Sequence, residues 1–226
     1  MIGQVFHDRT EAGRRLAERL AGLARAAPVV LALPRGGVPV GREVADMLGA
    51  PLDLLLVRKV GAPCHPELAI GAVAGGTAEP EVYRDEGLVS RLGVPDVWFA
   101  AEAARELAEI DRRRAEYLQG RPPLDLSGRT VIVVDDGVAT GASIRLALRA
   151  ARRQRPARLV MAVPVAAPST LARLADETDE IVAVLTPEDF AAVGQFYIDF
   201  HQLNDAEVKR LLHGPSVRQR PIGRAG

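Results

Sequence analysis

The chain has 226 residues, of which 48% are hydrophobic and 26% are charged, with 29 basic and 29 acidic side chains. This length favours one substantial core with an appended lobe over two equal domains. Balanced charge does not form the basic surface that binds duplex DNA, so we expect no nucleic-acid partner.

Cysteine content and hydropathy indicate the compartment. The single cysteine, Cys64, excludes an internal disulfide and favours a reducing environment. The first residues, MIGQVFHDRTEAGRR, contain no basic segment followed by an apolar one, so we expect no secretory signal. No apolar run approaches the ~20 residues that span a bilayer. We therefore expect a cytoplasmic protein with no membrane partner.

The first half of the chain predicts a strand, a turn, a helix and a second strand. The apolar run PVVLALP at 28–34 is typical of a strand buried on both faces. Apolar residues spaced at three and four in VGREVADMLGA, 40–50, predict a helix. LDLLLVRKV at 52–60 predicts the second strand, which completes one βαβ unit.

Residues 61–128 do not follow this rhythm. Their first part mixes Gly, Pro and short apolar pieces, which indicates a long loop with a hairpin or two weak strands. DVWFAAEAARELAEIDRRRAEYLQG, 96–120, is the longest helical pattern in the chain, and RPPLDLSGR ends it. We predict a flap followed by a covering helix.

Strands and helices alternate again in the second half. The predicted strands are TVIVVDD, ARLVMAVPV and EIVAVLT, and the predicted helices are GASIRLALRAARRQ and APSTLARLADE. Such alternation predicts an α/β fold with a mostly parallel central sheet and helices on both faces. Ligands of these sheets bind at the carboxyl ends of the strands, where the loops PRGG and DDGVATGAS both lie.

The stretch TVIVVDDGVATGAS, 130–143, places two carboxylates at the end of a predicted strand. Asp135 and Asp136 accept hydrogen bonds when ionised, so they suit a vicinal diol such as ribose O2 and O3, or Mg²⁺ with its water shell. The loop after them opens a helix, whose free N–H groups and the hydroxyls of Thr140 and Ser143 suit a phosphate monoester. These features predict a ribose phosphate ligand. Alternatively, Thr140 or Ser143 only caps the helix and Asp135 is a solvated strand end.

The string VIVVDDGVATGAS resembles the signature of the type I phosphoribosyltransferases. That signature is a hydrophobic strand, two acidic residues, a short apolar stretch, and Thr-Gly-Gly-Thr or a close variant. In this chain Gly137 stands where an apolar residue is usual, Ala142 replaces the second glycine and Ser143 the last threonine. Gly137 is expected to make the loop more flexible.

The resemblance implies roles for this stretch. Asp135 and Asp136 would bind the ribose hydroxyls of phosphoribosyl pyrophosphate, and Mg²⁺ through ribose or bound water. The 5′-phosphate would lie in a loop of five small residues, which are Ala139, Thr140, Gly141, Ala142 and Ser143.

Two weaker motifs follow the family's order. LPRGG is similar to its pyrophosphate loop, which often contains a non-proline cis peptide; the cation and amides would come from Arg35, Gly36 and Gly37. VRKVG is similar to its basic pair at the end of the next strand, with Arg58 and Lys59. Without this context, the two glycines could be only a tight turn and the two cations only solvated charges.

The resemblance also implies an organisation for one domain over 1–226. Its parts are a core at 28–73 and 129–186, a flap and covering-helix insert at 74–128, a hood with a C-terminal helix at 187–214, and a loose tail at 215–226. DFHQLND, 199–205, is a positional candidate for framing a nucleobase. Trp98 and Phe99 are expected in the core rather than as a base-stacking platform, and Cys64 with His65 is expected in a loop without a catalytic or zinc role.

The leading hypothesis is a Mg²⁺-dependent phosphoribosyltransferase whose small-molecule substrates are phosphoribosyl pyrophosphate and a nitrogenous acceptor, with a nucleobase favoured. The residues assigned to catalysis are Asp135, Asp136, Arg35 and Lys59. A homodimer is compatible with a symmetric enzyme. Two alternatives stay open: a sensor or regulator with the same ligand and no reaction, and a phosphorylatable receiver-like domain. The sequence contains no Walker A string, so we do not expect a P-loop NTPase.

Overall fold

The computed structural model describes residues 5–76 and 79–214, which contain two sheets. In chain order the strands are β1 (Val29–Ala32), β2 (Leu52–Leu54), β3 (Leu56–Ala62), β4 (His65–Gly75), β5 (Glu81–Arg84), β6 (Thr130–Val134), β7 (Arg158–Val165) and β8 (Glu180–Leu185). The central sheet is parallel throughout, in the order β2-β1-β6-β7-β8. This confirms the predicted α/β class.

Helices cover both faces of the central sheet. The α-helices of the described residues are α1 (Arg9–Leu20), α2 (Gly37–Leu48), α3 (Glu86–Arg91), α4 (Asp96–Leu118), α5 (Ala142–Arg153), α6 (Pro168–Leu174) and α7 (Asp205–His213). Of these, α1 and α2 pack on one face of the central sheet and α5 on the other, whereas α4 packs on β3 and β4. Because successive strand residues point to opposite faces, Val30 and Ile132 pack with α1 and α2, whereas Leu31 and Val133 pack with α5. The continuous apolar runs therefore supply two cores at once. In the described part of the chain, no helix is long and apolar enough to cross a membrane.

The single strand predicted over 52–60 is wrong. The chain leaves the parallel sheet after β2, and β3 begins a second, antiparallel sheet in the order β3-β4-β5. Asp53 is fully buried at this branch, where its carboxylate accepts two hydrogen bonds of 2.8 Å from Arg114 of α4. The apolar run LDLLLV is buried on both sides of the break, so periodicity does not reveal the change of sheet.

The second sheet lies between α4 and α5. The prediction for this region was a long loop with a hairpin or two weak strands. The structure has two antiparallel pairs, β3–β4 and β4–β5, and β4 alone has 11 residues. The helical pattern over 96–120 forms α4, whose Phe99 and Ile110 lie over Gly71 and Gly75 of β4. Cys64 lies exposed in the β3–β4 turn. The segment 215–226 predicted as a tail lies outside the described residues.

Candidate functional site

The acid pair lies at the carboxyl end of β6, in the centre of the parallel sheet. The Asp136 side chain is only 14% exposed, and the Asp136 backbone N–H donates to Asp135 Oδ1 over 2.9 Å. Burial raises the pKa of Asp135 well above its usual value, and the charge of Asp136 raises it further. Burial also raises the pKa of Asp136, while the Arg9 guanidinium opposes that rise. A cation or a hydroxyl donor bound between the two carboxylates would stabilise their ionised forms, because it offsets the repulsion between like charges.

The loop after β1 packs directly on the acid pair. The Leu33 N–H donates to the Val134 carbonyl over 2.9 Å, which places the ends of β1 and β6 side by side. A side chain on Gly36 would place its Cβ 2.5 Å from Asp136 Cγ, and one on Gly37 would lie 2.7 Å from the Val134 carbonyl oxygen. The peptide bond between Pro34 and Arg35 is cis, as the family resemblance implied.

Gly137, the departure from the family signature, is a packing requirement. It is buried, and an added Cβ would lie 2.5 Å from Val193 Cγ1 and 3.0 Å from Val165 Cγ1. The next residue, Val138, donates its N–H to the Val165 carbonyl over 2.9 Å. We expected Gly137 to make the loop more flexible. The structure gives it a packing role instead, because neighbouring side chains approach too closely to leave room for a Cβ.

The loop 139–143 leads into the first turn of α5. Gly141 is the N-cap residue with a φ of 83°, a left-handed conformation that suits glycine, and no side chain caps this helix in the described structure. The alternative that Thr140 or Ser143 caps α5 is wrong. Uncapped N–H groups at the start of a helix, with the positive end of its dipole, form a place for an anion.

Two side chains of α6 hold the carbonyl groups of this loop. Thr170 Oγ1 donates to the Ala139 carbonyl over 2.7 Å, and Arg173 Nη2 donates to the Thr140 carbonyl over 3.4 Å and to Thr170 Oγ1 over 2.9 Å. The carbonyl groups of Ala139 and Thr140 are therefore directed to α6. The hydroxyls of the loop and the first N–H groups of α5 stay available to other partners.

Replacing Thr170 by Val tests this restraint. Thr170 is 2% exposed, and Val keeps its shape while removing a donor and an acceptor. We expect the free energy of unfolding to fall by about 1–2 kcal/mol, measured by urea denaturation. The Ser169→Ala variant, an exposed position on the same helix, is the control. Equal stability of the two variants would contradict the restraint.

The structure separates the two cations of VRKVG. Arg58 Nε donates to the buried carboxylate of Glu106 on α4. Lys59 is exposed and borders a cavity of ≈ 460 Å³ that Ala142 and Ser143 also line. The residues described contain no ion-pair partner for Lys59. The fold therefore brings Lys59, and not Arg58, towards the loop that opens α5.

Arg35 lies in the loop that packs on the acid pair, and its side chain is held loosely. Its side chain is 38% exposed, and its Nη1 lies 3.9 Å from Asp205 Oδ1 at the start of α7. Tyr117 donates its hydroxyl to the same Asp205 oxygen over 2.6 Å. Burial, followed by the hydrogen bond to Asp205, raises the pKa of Tyr117 to about 12. Arg35 is thus a cation with a weak ion-pair partner, in the loop that packs on the acid pair.

Sequence reasoning missed two residues that contact Asp136. Arg9, at the start of α1, donates from Nε to Asp136 Oδ2 over 2.7 Å. Tyr197 donates its hydroxyl to the Asp136 backbone carbonyl over 2.5 Å. No local pattern connects these positions, because Arg9 and Asp136 are 127 residues apart. The segment 199–205, predicted to frame a base, does reach this region, since Asp199 and His201 line a cavity of ≈ 270 Å³ together with Arg9.

The donor set fits a magnesium ion held with few protein ligands. Asp135 and Asp136 supply hard carboxylate oxygens, and the described residues contain no group of three or more His, Cys, Asp or Glu side chains that could hold a metal alone. Mg²⁺ is commonly bound by one or two carboxylates together with water and substrate phosphates. The acid pair matches that pattern.

The parallel sheet and the loops converging at its carboxyl edge define an α/β protein of the type I phosphoribosyltransferase class. A sequence model of the phosphoribosyl transferase domain matches residues 6–201, and the chain belongs to this family. Family membership excludes the receiver-like interpretation.

The relatives agree with this assignment. A Mycobacterium tuberculosis protein named "Putative phosphoribosyl transferase" is 44% identical over 209 residues, which are 92% of this chain and 46% of the relative, and the same match recurs in a second strain. The chain thus spans about half the length of these curated relatives. The crystal structure of TT1426 from Thermus thermophilus is 47% identical, with a TM-score of 0.76 over 92% of this chain and 97% of that one.

Proposed function

We propose that the protein transfers a phosphoribosyl group from phosphoribosyl pyrophosphate to a nitrogenous acceptor, with a nucleobase as the favoured class. The observation that carries this proposal is the meeting of the Gly36–Gly37 loop, the acid pair and the uncapped start of α5 at one edge of the sheet. Carboxylates for a sugar diol lie between two places for phosphate groups. This order matches the order of groups in phosphoribosyl pyrophosphate.

Each part of the site receives one part of the substrate. Asp135 and Asp136 accept hydrogen bonds from the ribose hydroxyls. The 5′-phosphate lies on the loop Ala139–Ser143 and the first N–H groups of α5. The pyrophosphate lies against the amide of Gly36, with Arg35 and Lys59 as cations and Arg58 as an outer charge. The amide of Gly37, assigned to the same role from the sequence, is not free for it, because its N–H donates to the Leu33 carbonyl over 3.0 Å. Arg35 and Lys59 suit this role because neither has a strong ion pair to break among the residues described.

In the proposed reaction the acceptor nitrogen forms a bond to C1 of the ribose while the bond from C1 to the pyrophosphate oxygen breaks, and the N–H proton of the acceptor passes to the departing pyrophosphate or to water. The bonding electron pair leaves with pyrophosphate, and no covalent enzyme intermediate is needed. The protein contributes by orienting the sugar and by placing fixed charges where negative charge develops. When bound at the acid pair, Mg²⁺ supplies further neutralisation of the pyrophosphate.

The proposal includes a cytoplasmic location and small-molecule partners only. The equal numbers of basic and acidic residues support the absence of a nucleic-acid partner. A homodimer is also part of the proposal, as the simplest symmetric assembly.

The direct test is to incubate the protein with labelled phosphoribosyl pyrophosphate, Mg²⁺ and a panel of purine and pyrimidine bases. We expect a labelled nucleotide and one equivalent of pyrophosphate, both lost when the metal is chelated. Binding without turnover on any base would replace the enzyme with a sensor that uses the same ligand. Neither binding nor turnover would contradict the proposed ligand itself.

A further inference from the structure

We propose that Arg9 is a positioning residue that fixes the Asp136 carboxylate for the ribose and joins it to the segment 196–201. This inference rests on the proposed function, because it gives Arg9 a role only through the ligand that Asp136 binds. The contact brings together the start of the helix α1, the end of the central strand and a segment after the last strand of the sheet.

The Arg9 guanidinium has partners on several sides. Its residue is only 9% exposed, Nε donates to Asp136 Oδ2 over 2.7 Å, and Nη1 donates to the His201 carbonyl over 3.0 Å. The guanidinium carbon lies 3.9 Å from the centre of the Phe200 ring, within cation–π distance. Asp8 caps α1 by accepting from the Glu11 N–H over 2.8 Å, which fixes where the helix and Arg9 begin. Arg9 is therefore held in one orientation before any ligand arrives.

The segment that carries Phe200 is itself anchored to the residues before α1. Ile198 donates its N–H to the Phe6 carbonyl over 2.9 Å, and Asp199 donates its N–H to the His7 carbonyl over 2.8 Å. The Tyr197 hydroxyl donates to the Asp136 backbone carbonyl over 2.5 Å. Asp136 is thus held at its carboxylate by Arg9 and at its backbone by Tyr197.

The geometry of the contact leaves Asp136 able to bind a ligand. Arg9 uses Oδ2, and among the described residues no side chain donates to Oδ1. Gly36 lies against the same carboxylate, so the group has little freedom to turn. Because the planar Arg9 guanidinium holds Oδ2, the direction in which Oδ1 points is also fixed. Lysine, with a flexible stem and a point charge, does not reproduce this planar contact.

The test compares Arg9→Lys and Arg9→Ala with Arg14→Ala. Arg14 lies on the same helix with a side chain that is 59% exposed, and its Nε donates to Glu43 over 3.2 Å away from the acid pair. Binding of phosphoribosyl pyrophosphate with Mg²⁺ is measured by calorimetry, and kcat and KM are measured with any base that the wild type accepts. Both Arg9 variants should weaken binding by about tenfold or more, as expected for loss of one charge-assisted hydrogen bond, with Arg14→Ala unchanged.

Chemical rescue separates positioning from simple stabilisation of the fold. Millimolar guanidinium, far below denaturing concentrations, should restore affinity to Arg9→Ala without a matching change in its melting temperature. If Arg9→Ala does not fold, folded Arg9→Lys still decides the matter through its affinity. Affinity of the folded Arg9 variants within about twofold of wild type would overturn the role of Arg9 alone. Absence of binding by the wild type would overturn the proposed function, and the role of Arg9 with it.

Discussion

Replacing both Asp135 and Asp136 by Asn should remove measurable affinity for phosphoribosyl pyrophosphate. Asn keeps the size of each side chain but replaces a charged acceptor by a neutral amide. Hydrogen bonds to charged groups contribute about 1.5–3 kcal/mol each, and each 1.4 kcal/mol is a factor of about ten, so the pair should cost at least about 100-fold. Calorimetry with Mg²⁺ present measures the loss.

The melting temperatures of these variants show whether the loss of affinity comes from the binding site or from unfolding of the protein. Burial raises the pKa of Asp135, which means that the ionised form is costly in the fold, so Asp135→Asn should match or exceed the wild-type melting temperature. Asp111→Asn, at an exposed position on α4, is the matched control for affinity. A double variant that binds phosphoribosyl pyrophosphate as tightly as the wild type would contradict the ribose site.

Replacing Gly36 by Ala should disturb the acid pair without touching its chemistry. The φ of Gly36 is −61°, so alanine meets no backbone penalty, and the effect comes only from space. The new Cβ would lie 2.5 Å from Asp136 Cγ, which forces the carboxylate away from Arg9. Overpacking of this kind costs about 1–3 kcal/mol, and we expect a comparable loss in phosphoribosyl pyrophosphate affinity.

Gly22→Ala is the matched control for this substitution. Gly22 lies in the turn after α1, where an added Cβ meets no atom within 4 Å. We expect wild-type affinity and an unchanged or slightly raised melting temperature, because alanine favours helical backbone more than glycine does. If Gly36→Ala behaved like Gly22→Ala, the close packing of the two loops would not matter for binding.

LPRGG and VRKVG, the two weaker motifs, differ in how well local sequence predicts the positions of their side chains. LPRGG and DDGVATGAS are both predicted at the carboxyl edge of the sheet, and Gly36 and Gly37 do pack against Asp136 and the end of β6. For VRKVG the pattern offers two equivalent cations. Only the antiparallel pairing of β3 with β4, which directs Arg58 to Glu106 on α4, distinguishes them.

Local sequence is sufficient to predict the order β1-α2-β2 in the first half, the alternating strands and helices from β6 to β8, the acid pair at a strand end and the family, because periodicity, turn residues and the signature string are properties of neighbouring residues. The helix α1 was not predicted. The branch after Leu54, the partner of Arg58 and the contact of Arg9 with Asp136 emerge only in three dimensions. The same is true of the close packing that requires Gly137. These features depend on side chains that are distant along the chain, and the free energy of such contacts has no counterpart in local sequence.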